Sequence, residues 1–260
     1  LLKPNGYLVF ITPDNWMSLA DRNEIIEKLT ELQFIHLNIH SAKKWFPKIG
    51  SSFTWYIIQN KPYDSPFSVE GIFNKKQFNS IVQSNKRNCI PLLYTELVQN
   101  ILSKTIENSQ YNKFKVETSS DLHRYTKRAI IRDVADDEYK YKLIHTPKQI
   151  CYANRPHKYQ DGFKIFISTT DKYKIFIDNC GMTQSIAFIR CNNNDEATQL
   201  AKLLTHPLYI FINNICRWGN FNNIRILQLF PIPPSKDYNN IFKDFNIDKN
   251  EEEYILANYL

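Results

Sequence analysis

The hydrophobic positions change rhythm along the chain. A turn signal at Lys3-Pro4-Asn5-Gly6 leads into Tyr7-Leu8-Val9-Phe10-Ile11-Thr12. That run is apolar on both faces, which predicts a central strand covered on both sides. Ser18, with Asp21 three positions on, predicts the start of a helix whose Ile25, Ile26, Leu29 and Leu32 share one face. Ile35-His36-Leu37-Asn38-Ile39-His40 alternates strictly and reads as a second strand. Strand, helix and strand make one unit of an α/β sheet. After a loop over 41–52, Phe53-Thr54-Trp55-Tyr56-Ile57-Ile58 gives a third strand that ends at Asn60-Lys61-Pro62. So short a connection joins antiparallel neighbours, because a parallel crossover needs more chain. Residues 1–62 therefore predict the last three strands of a larger sheet, too few to fold alone.

Residues 63–120 are rich in Asn, Gln, Ser and Lys, and Leu97, Ile101, Leu102 and Ile106 mark one helix, so this stretch reads as a helical connector. From about residue 121 short alternating strands take over, at 148–152, 163–168, 173–177 and 185–190, with Thr170-Asp171 where a hairpin turn belongs. Asp195 is the expected cap of a helix carrying Ala197, Leu200, Leu203 and Leu204, and Pro207 the start of another through Tyr209 and Ile212 to Cys216. Pro231, Pro233 and Pro234 stop regular structure after Ile224-Arg225-Ile226-Leu227. Residues 236–260 form a tail with an acidic helix over 251–258. The expected division is 1–62, a connector over 63–120, a domain over 121–235 and the tail. No useful internal repeat occurs.

With 260 residues, 43% of them hydrophobic and 14% aromatic, the chain can build a real core. Lys and Arg total 33 against 26 Asp and Glu, a net charge of +7 that favours a polyanionic partner. The six glycines, Gly6, Gly50, Gly71, Gly162, Gly181 and Gly219, stand alone. They form neither a dinucleotide G-x-G-x-x-G nor a phosphate-cradling loop, which excludes both routes to a nucleotide. Five cysteines without a C-x-x-C pair argue against a zinc ribbon and for reduced, mostly buried thiols. The sequence has no signal peptide and no apolar run of about 18 residues, so the expectation is a soluble, cytoplasmic protein. Opening at Leu1 without methionine, it reads as a fragment.

Candidate chemistry lies in loops. His36 and His40 fall on a strand, where four residues span about 13 Å, too far for two ligands of one zinc. Asp136-Asp137-Glu138-Tyr139-Lys140 has the acid-x-Lys order of many metal-dependent nucleases, but without the apolar strand that would gather carboxylates around an ion; a solvated turn is the other reading. In the loop 43–52, Lys43, Lys44 and Lys48 flank Trp45 and Phe46. Lysines suit phosphates and an exposed ring suits a base, although either ring could instead roof the sheet. Basic residues with interleaved rings recur around Lys127, Arg128 and Arg132, around Arg155 and Lys158, and at Arg217-Trp218. Four such clusters in a basic chain favour nucleic acid. Between two strands, Thr183, Gln184 and Ser185 offer donors and acceptors for bases or phosphates; a plain hairpin turn at Gly181 is equally compatible.

Taken in order, these pieces resemble the C-terminal part of the gamma-class, TaqI-type adenine-specific DNA methyltransferases, including those of restriction-modification enzymes. Leu1, Leu2, Lys3, Gly6, Ile11 and Pro13 match the turn-strand that follows that family's Asn-Pro-Pro-Tyr motif. WFPKIGSSFTWYIIQNK is similar to its next motif, in which an aromatic stacks on the flipped adenine, and Phe46 aligns with that aromatic beside Trp45. Residues 145–233, with CGMTQSIAFI and ILQLFPIP, look like its target recognition domain. The resemblance implies the end of a Rossmann-like α/β methyltransferase sheet, with an antiparallel hairpin, followed by an α+β recognition domain. It implies double-stranded DNA as partner, S-adenosylmethionine as cofactor outside this chain, and a fused or separate nuclease. Neither Asn-Pro-Pro-Tyr nor a glycine-bearing cofactor strand is present, so no catalytic residue is expected here. A non-catalytic DNA specificity module and a metal-dependent nuclease are the alternatives.

Overall fold

A computed structural model describes residues 2–20, 23–83, 88–170, 172–219 and 221–260. The chain is of the α/β class and divides into two compact units, residues 1–107 with 215–219 and residues 108–214 with 220–260. Among the described residues no helix is long and apolar enough to cross a membrane.

The first unit contains β1 (Tyr7–Pro13), α1 (Glu24–Thr30), β2 (Leu32–Ile39), β3 (Phe53–Pro62), β4 (Phe67–Phe73), β5 (Lys76–Val82) and α2 (Glu96–Lys104). Its sheet runs β1-β3-β2-β4-β5. As the short loop predicts, β3 is antiparallel to β2, and it is also antiparallel to β1. β2 and β4 run parallel, and β4 turns tightly into antiparallel β5. Phe34, Leu37, Tyr56, Ile58, Phe67 and Val69 are all buried, with Phe34 packed at 5.9 Å from Tyr56 and 5.4 Å from Phe67.

Three expectations change here. β1, read as a central strand, is an edge strand that pairs only with β3 among the described residues; Tyr7 is 60% and Val9 64% exposed. An apolar run shows which surroundings suit it, whereas pairing decides what covers it. Ser18 does not cap α1: it closes a 3-10 turn over Asp14–Met17, and Asn23 before α1 donates its amide to the carbonyl oxygen of Ser18 at 2.9 Å. Asp21, the other half of the expected cap, and Leu1 lie outside the described residues, and Leu32 opens β2 instead of extending the helix. Finally, the stretch 63–120 holds α2 as expected but also β4 and β5, which extend the first sheet. Their short segments alternate within a stretch rich in Asn, Gln, Ser and Lys, and one face of β5 remains in solvent.

Gly71 sits where β4 pairs with Ile39 on one side and Phe78 on the other. A Cβ there would lie 2.7 Å from the Phe78 ring and 2.9 Å from the Ile39 carbonyl oxygen. Gly71→Ala should therefore destabilise this unit by about 1–3 kcal/mol in urea unfolding, with an unchanged m value; a loss within experimental error would show that β2 and β4 separate freely.

The second unit contains β6 (Glu117–Thr118), β7 (Ile131–Arg132), β8 (Tyr141–Thr146), β9 (Gln149–Ala153), β10 (Lys164–Ser168), β11 (Ile175–Asp178), β12 (Gly181–Met182) and β13 (Ile186–Arg190). The helices α3 (Asn194–Leu204), α4 (Pro207–Ile215), α5 (Ile224–Gln228), α6 (Ile241–Asp244) and α7 (Lys249–Asn258) follow. One sheet runs β11-β10-β13-β6 and is antiparallel, while the other runs β12-β8-β9-β7, with β12 parallel to β8. Ile144, Phe166, Cys180, Met182, Ile186 and Phe188 form one core between them. The four strands expected after residue 147 correspond to β9, β10, β11 and β13; Asp171 of the expected hairpin turn lies outside the described residues. Asn193 rather than Asp195 caps α3, accepting from the Glu196 N–H at 2.8 Å. In α7, Asp248 and Glu251 form a capping box.

Candidate nucleic-acid interface

In the first unit the lysine-aromatic loop begins as a 3-10 turn over Ser41–Trp45, held at its start by His40 in the left-handed region with φ 69°. The His40 Nε2 lies 2.9 Å from the buried Asp14 carboxylate, and Trp218 packs edge-on against the imidazole at 5.5 Å. Lys43 turns inward and donates to the carbonyl oxygens of Ile49 and Ser51, the latter at 2.8 Å, so it ties the loop closed. Lys44 and Lys48 are exposed and form no ion pair among the described residues. Trp45 is 73% exposed, with the Lys44 ammonium 5.1 Å from its ring centre. Phe46 is half-buried and stacked on Phe53 at 4.3 Å and 23°. The loop thus presents one exposed ring beside the Lys44 ammonium, one ring backed by another, and two cations without an ion pair among the described residues.

Trp218, expected as a binding residue, is buried, and its indole N–H donates to the Ile90 carbonyl oxygen at 2.9 Å; a ring so placed packs rather than reaches a ligand. Arg217 beside it is half-buried.

In the second unit the expected cationic residues divide by partner. Arg155 lies against Asp121, with Nη2 2.7 Å from Oδ1, and the Lys158 backbone N–H donates to the same carboxylate at 2.8 Å. The Arg155 hydrogen bond, foremost, holds the Asp121 carboxyl down at about 2. Arg132 pairs with Asp136 at 3.2 Å over the Tyr139 ring at 4.0 Å. The Lys158 ammonium stands 4.7 Å from the Tyr159 ring centre. Lys127 and Arg128 are exposed and without an ion pair among the described residues.

The polar turn after Gly181 faces inward. Thr183 is fully buried with Oγ1 2.7 Å from the His145 Nδ1, and Ser185 is buried. Gln184 accepts from the Arg124 backbone N–H at 3.0 Å, which fixes the turn carrying Tyr125, Lys127 and Arg128. Thr183 and Ser185, buried in this way, do not offer themselves to bases, while the half-buried Gln184 is engaged through its Oε1. The acidic stretch after Val134 folds as a turn in which the Asp136 carboxylate accepts from the Tyr139 N–H at 2.6 Å and the Glu138 N–H at 3.0 Å. Among the described residues no three His, Cys, Asp or Glu side chains gather as metal ligands would.

Two features escape the sequence reading. The Asp14 and His40 pair joins positions at the ends of two strands, which no local spacing encodes. The tight β4–β5 turn at Asn74-Lys75 does carry a signal, an Asn between two alternating segments.

No protein-family model and no curated protein matches the sequence. The fold does have solved counterparts. A Type IIL restriction-modification enzyme, MmeI, whose structure was determined in complex with DNA, matches with a TM-score of 0.58 at 7% identity, over 98% of this chain and 49% of that one. The type IIG restriction endonuclease BpuSI matches over 98% of this chain and 42% of its own at 10% identity, with a TM-score of 0.32, too low to carry an argument. This chain therefore shares the fold of one part of the Type IIL enzyme and spans about half the length of that solved chain.

Proposed function

We propose that this chain is the C-terminal, DNA-binding part of a site-specific adenine methyltransferase of a restriction-modification system. The observation that carries the reading is the 41–52 loop, which sets an exposed Trp45 and a Phe53-backed Phe46 beside unpaired Lys44 and Lys48 at the end of a sheet. The fold shared with part of an enzyme solved on DNA supports it. So does the open edge of β1, whose apolar side chains suit further strands and covering elements of a larger sheet.

In this reading the loop receives an adenine turned out of the duplex. Extrusion costs a few kcal/mol, offset by stacking on an aromatic and by phosphate contacts. Phe46, held flat by Phe53, is the stacking ring that resemblance to the methyltransferases assigns, and Lys127 and Arg128 of the second unit hold backbone phosphates. The six glycines stand apart in the sequence and Asn-Pro-Pro-Tyr is missing from it. The methyl donor and the groups that orient the amine would belong to other parts of the complete enzyme.

Titration of a labelled duplex with the 260-residue chain tests DNA binding directly; absence of binding at low salt would remove the reading. For the finer assignment, Phe46→Ala in the complete enzyme should lower methylation about 10- to 100-fold, the worth of one base stack, while duplex affinity changes far less. Unchanged turnover would take Phe46 out of the site. An Asn-Pro-Pro-Tyr or Asn-Pro-Pro-Phe motif in the parent gene separates the methyltransferase from a non-catalytic specificity module.

A further inference from the structure

The first unit has a cleft of about 520 Å³ that the sequence does not announce. The lining comes from the start of the lysine loop, with His40, Lys43 and Lys44, from Ser52 at its end, and from the β4–β5 hairpin tip, with Asn74 and Lys75. The hairpin has two loop residues, since Phe73 pairs with Lys76, and both are left-handed, with φ 47° at Asn74 and 64° at Lys75. Such a turn follows the twist of its strands and is rigid. It holds Lys75 in a conformation that a lysine seldom adopts.

The charge in this cleft is one-sided. No carboxylate is among its lining residues. Lys44 and Lys75 form no ion pair among the described residues. In the second unit, by contrast, Arg124, Arg132, Lys142, Arg155 and Arg190 each face a carboxylate within 3.2 Å. Two lysines from segments 31 positions apart that line one cleft, together with hydroxyl and amide groups and with no carboxylate in the lining, suit a tetrahedral dianion or a phosphodiester.

We infer that this cleft is a phosphate site, seating a backbone phosphate of a DNA strand next to the loop that carries Trp45 and Phe46, with Lys75 and Lys44 as its cationic clamps. The choice of a strand phosphate over free phosphate rests on the DNA-binding reading above. Lys75 then acts as a register pin: it holds the backbone of the strand whose base meets the aromatic loop, and it carries no sequence information itself.

The test uses the 260-residue chain and its Lys75→Ala, Lys75→Arg and Lys44→Ala variants, with Lys28→Ala as a control on α1, where Lys28 is engaged with Glu24 at 3.5 Å. The readouts are the slope of log affinity for a duplex against log salt and the amide NMR shifts of Ser41, Asn74 and Lys75 on adding inorganic phosphate or duplex. Each alanine change in the cleft should lower the slope by about 0.9, one phosphate contact, while Lys75→Arg and Lys28→Ala keep it. A duplex bound with the same slope by all variants would overturn the cleft while leaving DNA binding intact. No duplex binding, with phosphate shifting those amides, would remove the DNA reading and leave a free-phosphate site. Neither response would overturn both.

Discussion

Affinity of this chain for duplex DNA should fall by about a hundredfold between 50 and 200 mM salt through its first unit alone. Lys44, Lys48, Lys75 and Lys76 of that unit are exposed and form no ion pair among the described residues. If each neutralises one phosphate, about four counterions are released, and a slope near 0.9 per contact gives a loss of about 10² over a fourfold rise in salt. Arg124, Arg132, Arg155 and Arg190 stay out of that sum, because each would first have to give up a carboxylate partner. The measurement is a set of duplex titrations across that salt range. A slope of one or less would mean that the net +7 is spread over the surface and forms no binding track.

Acid should unfold the second unit in a window set by two histidines. His157 is buried, its Nδ1 accepting from the Tyr159 N–H at 2.9 Å and its Nε2 2.9 Å from the Ser119 hydroxyl. Burial lowers its pKa from 6.5 to about 4. His206, buried edge-on against Tyr238 and Phe242 at 4.9 and 4.6 Å, is likewise lowered to about 4 by burial. For both, the unfolded chain takes up a proton at a higher pH than the folded one. The stability of the neutral, folded state is thus complete above pH 6.5 and is lost as pH falls towards 4, by on the order of 3 kcal/mol per histidine. Asp121, lowered from 3.8 to about 2, adds a loss of the same sign below 3.8. Near pH 5 the two histidines contribute a slope of about two protons, or about 2.7 kcal/mol per pH unit. His157→Gln or His206→Gln should each remove about one proton from that slope, whatever the variant does to stability at pH 7. Denaturant unfolding at a series of pH values reads it, and an unchanged slope in both variants would refute the assignment.

How far the sequence reaches is clearest in the strands. Residues 148–152, 163–168 and 185–190 read as short strands, and β9, β10 and β13 occupy nearly those positions, although β10 is buried on both faces. The reversal between β2 and β3 accords with the short loop between them, whose only regular structure is a 3-10 turn. β4 and β5 alternate, yet they lie in a stretch rich in Asn, Gln, Ser and Lys that reads as a connector, and β5 keeps one face in solvent. The candidate site divides in the same way. Trp45, Lys44 and Lys48 were legible as surface groups because a large ring among lysines in a loop has no solvation reason to be there. Thr183, Ser185 and Trp218 were misjudged because burial depends on what a distant segment places over them.

The sequence by itself determined many of the local elements, the α/β class, the surplus of positive charge and the aromatic loop, since periodicity, turn chemistry and charge act over a few neighbouring residues. Only the tertiary structure decided which cations remain free. Arg155 meets Asp121 from 34 positions away and Arg190 meets Glu117 from 73, and no local pattern records those meetings. Lys75 reaches the cleft of Lys44 the same way, through a parallel pairing of β2 with β4 that brings the hairpin tip beside the loop.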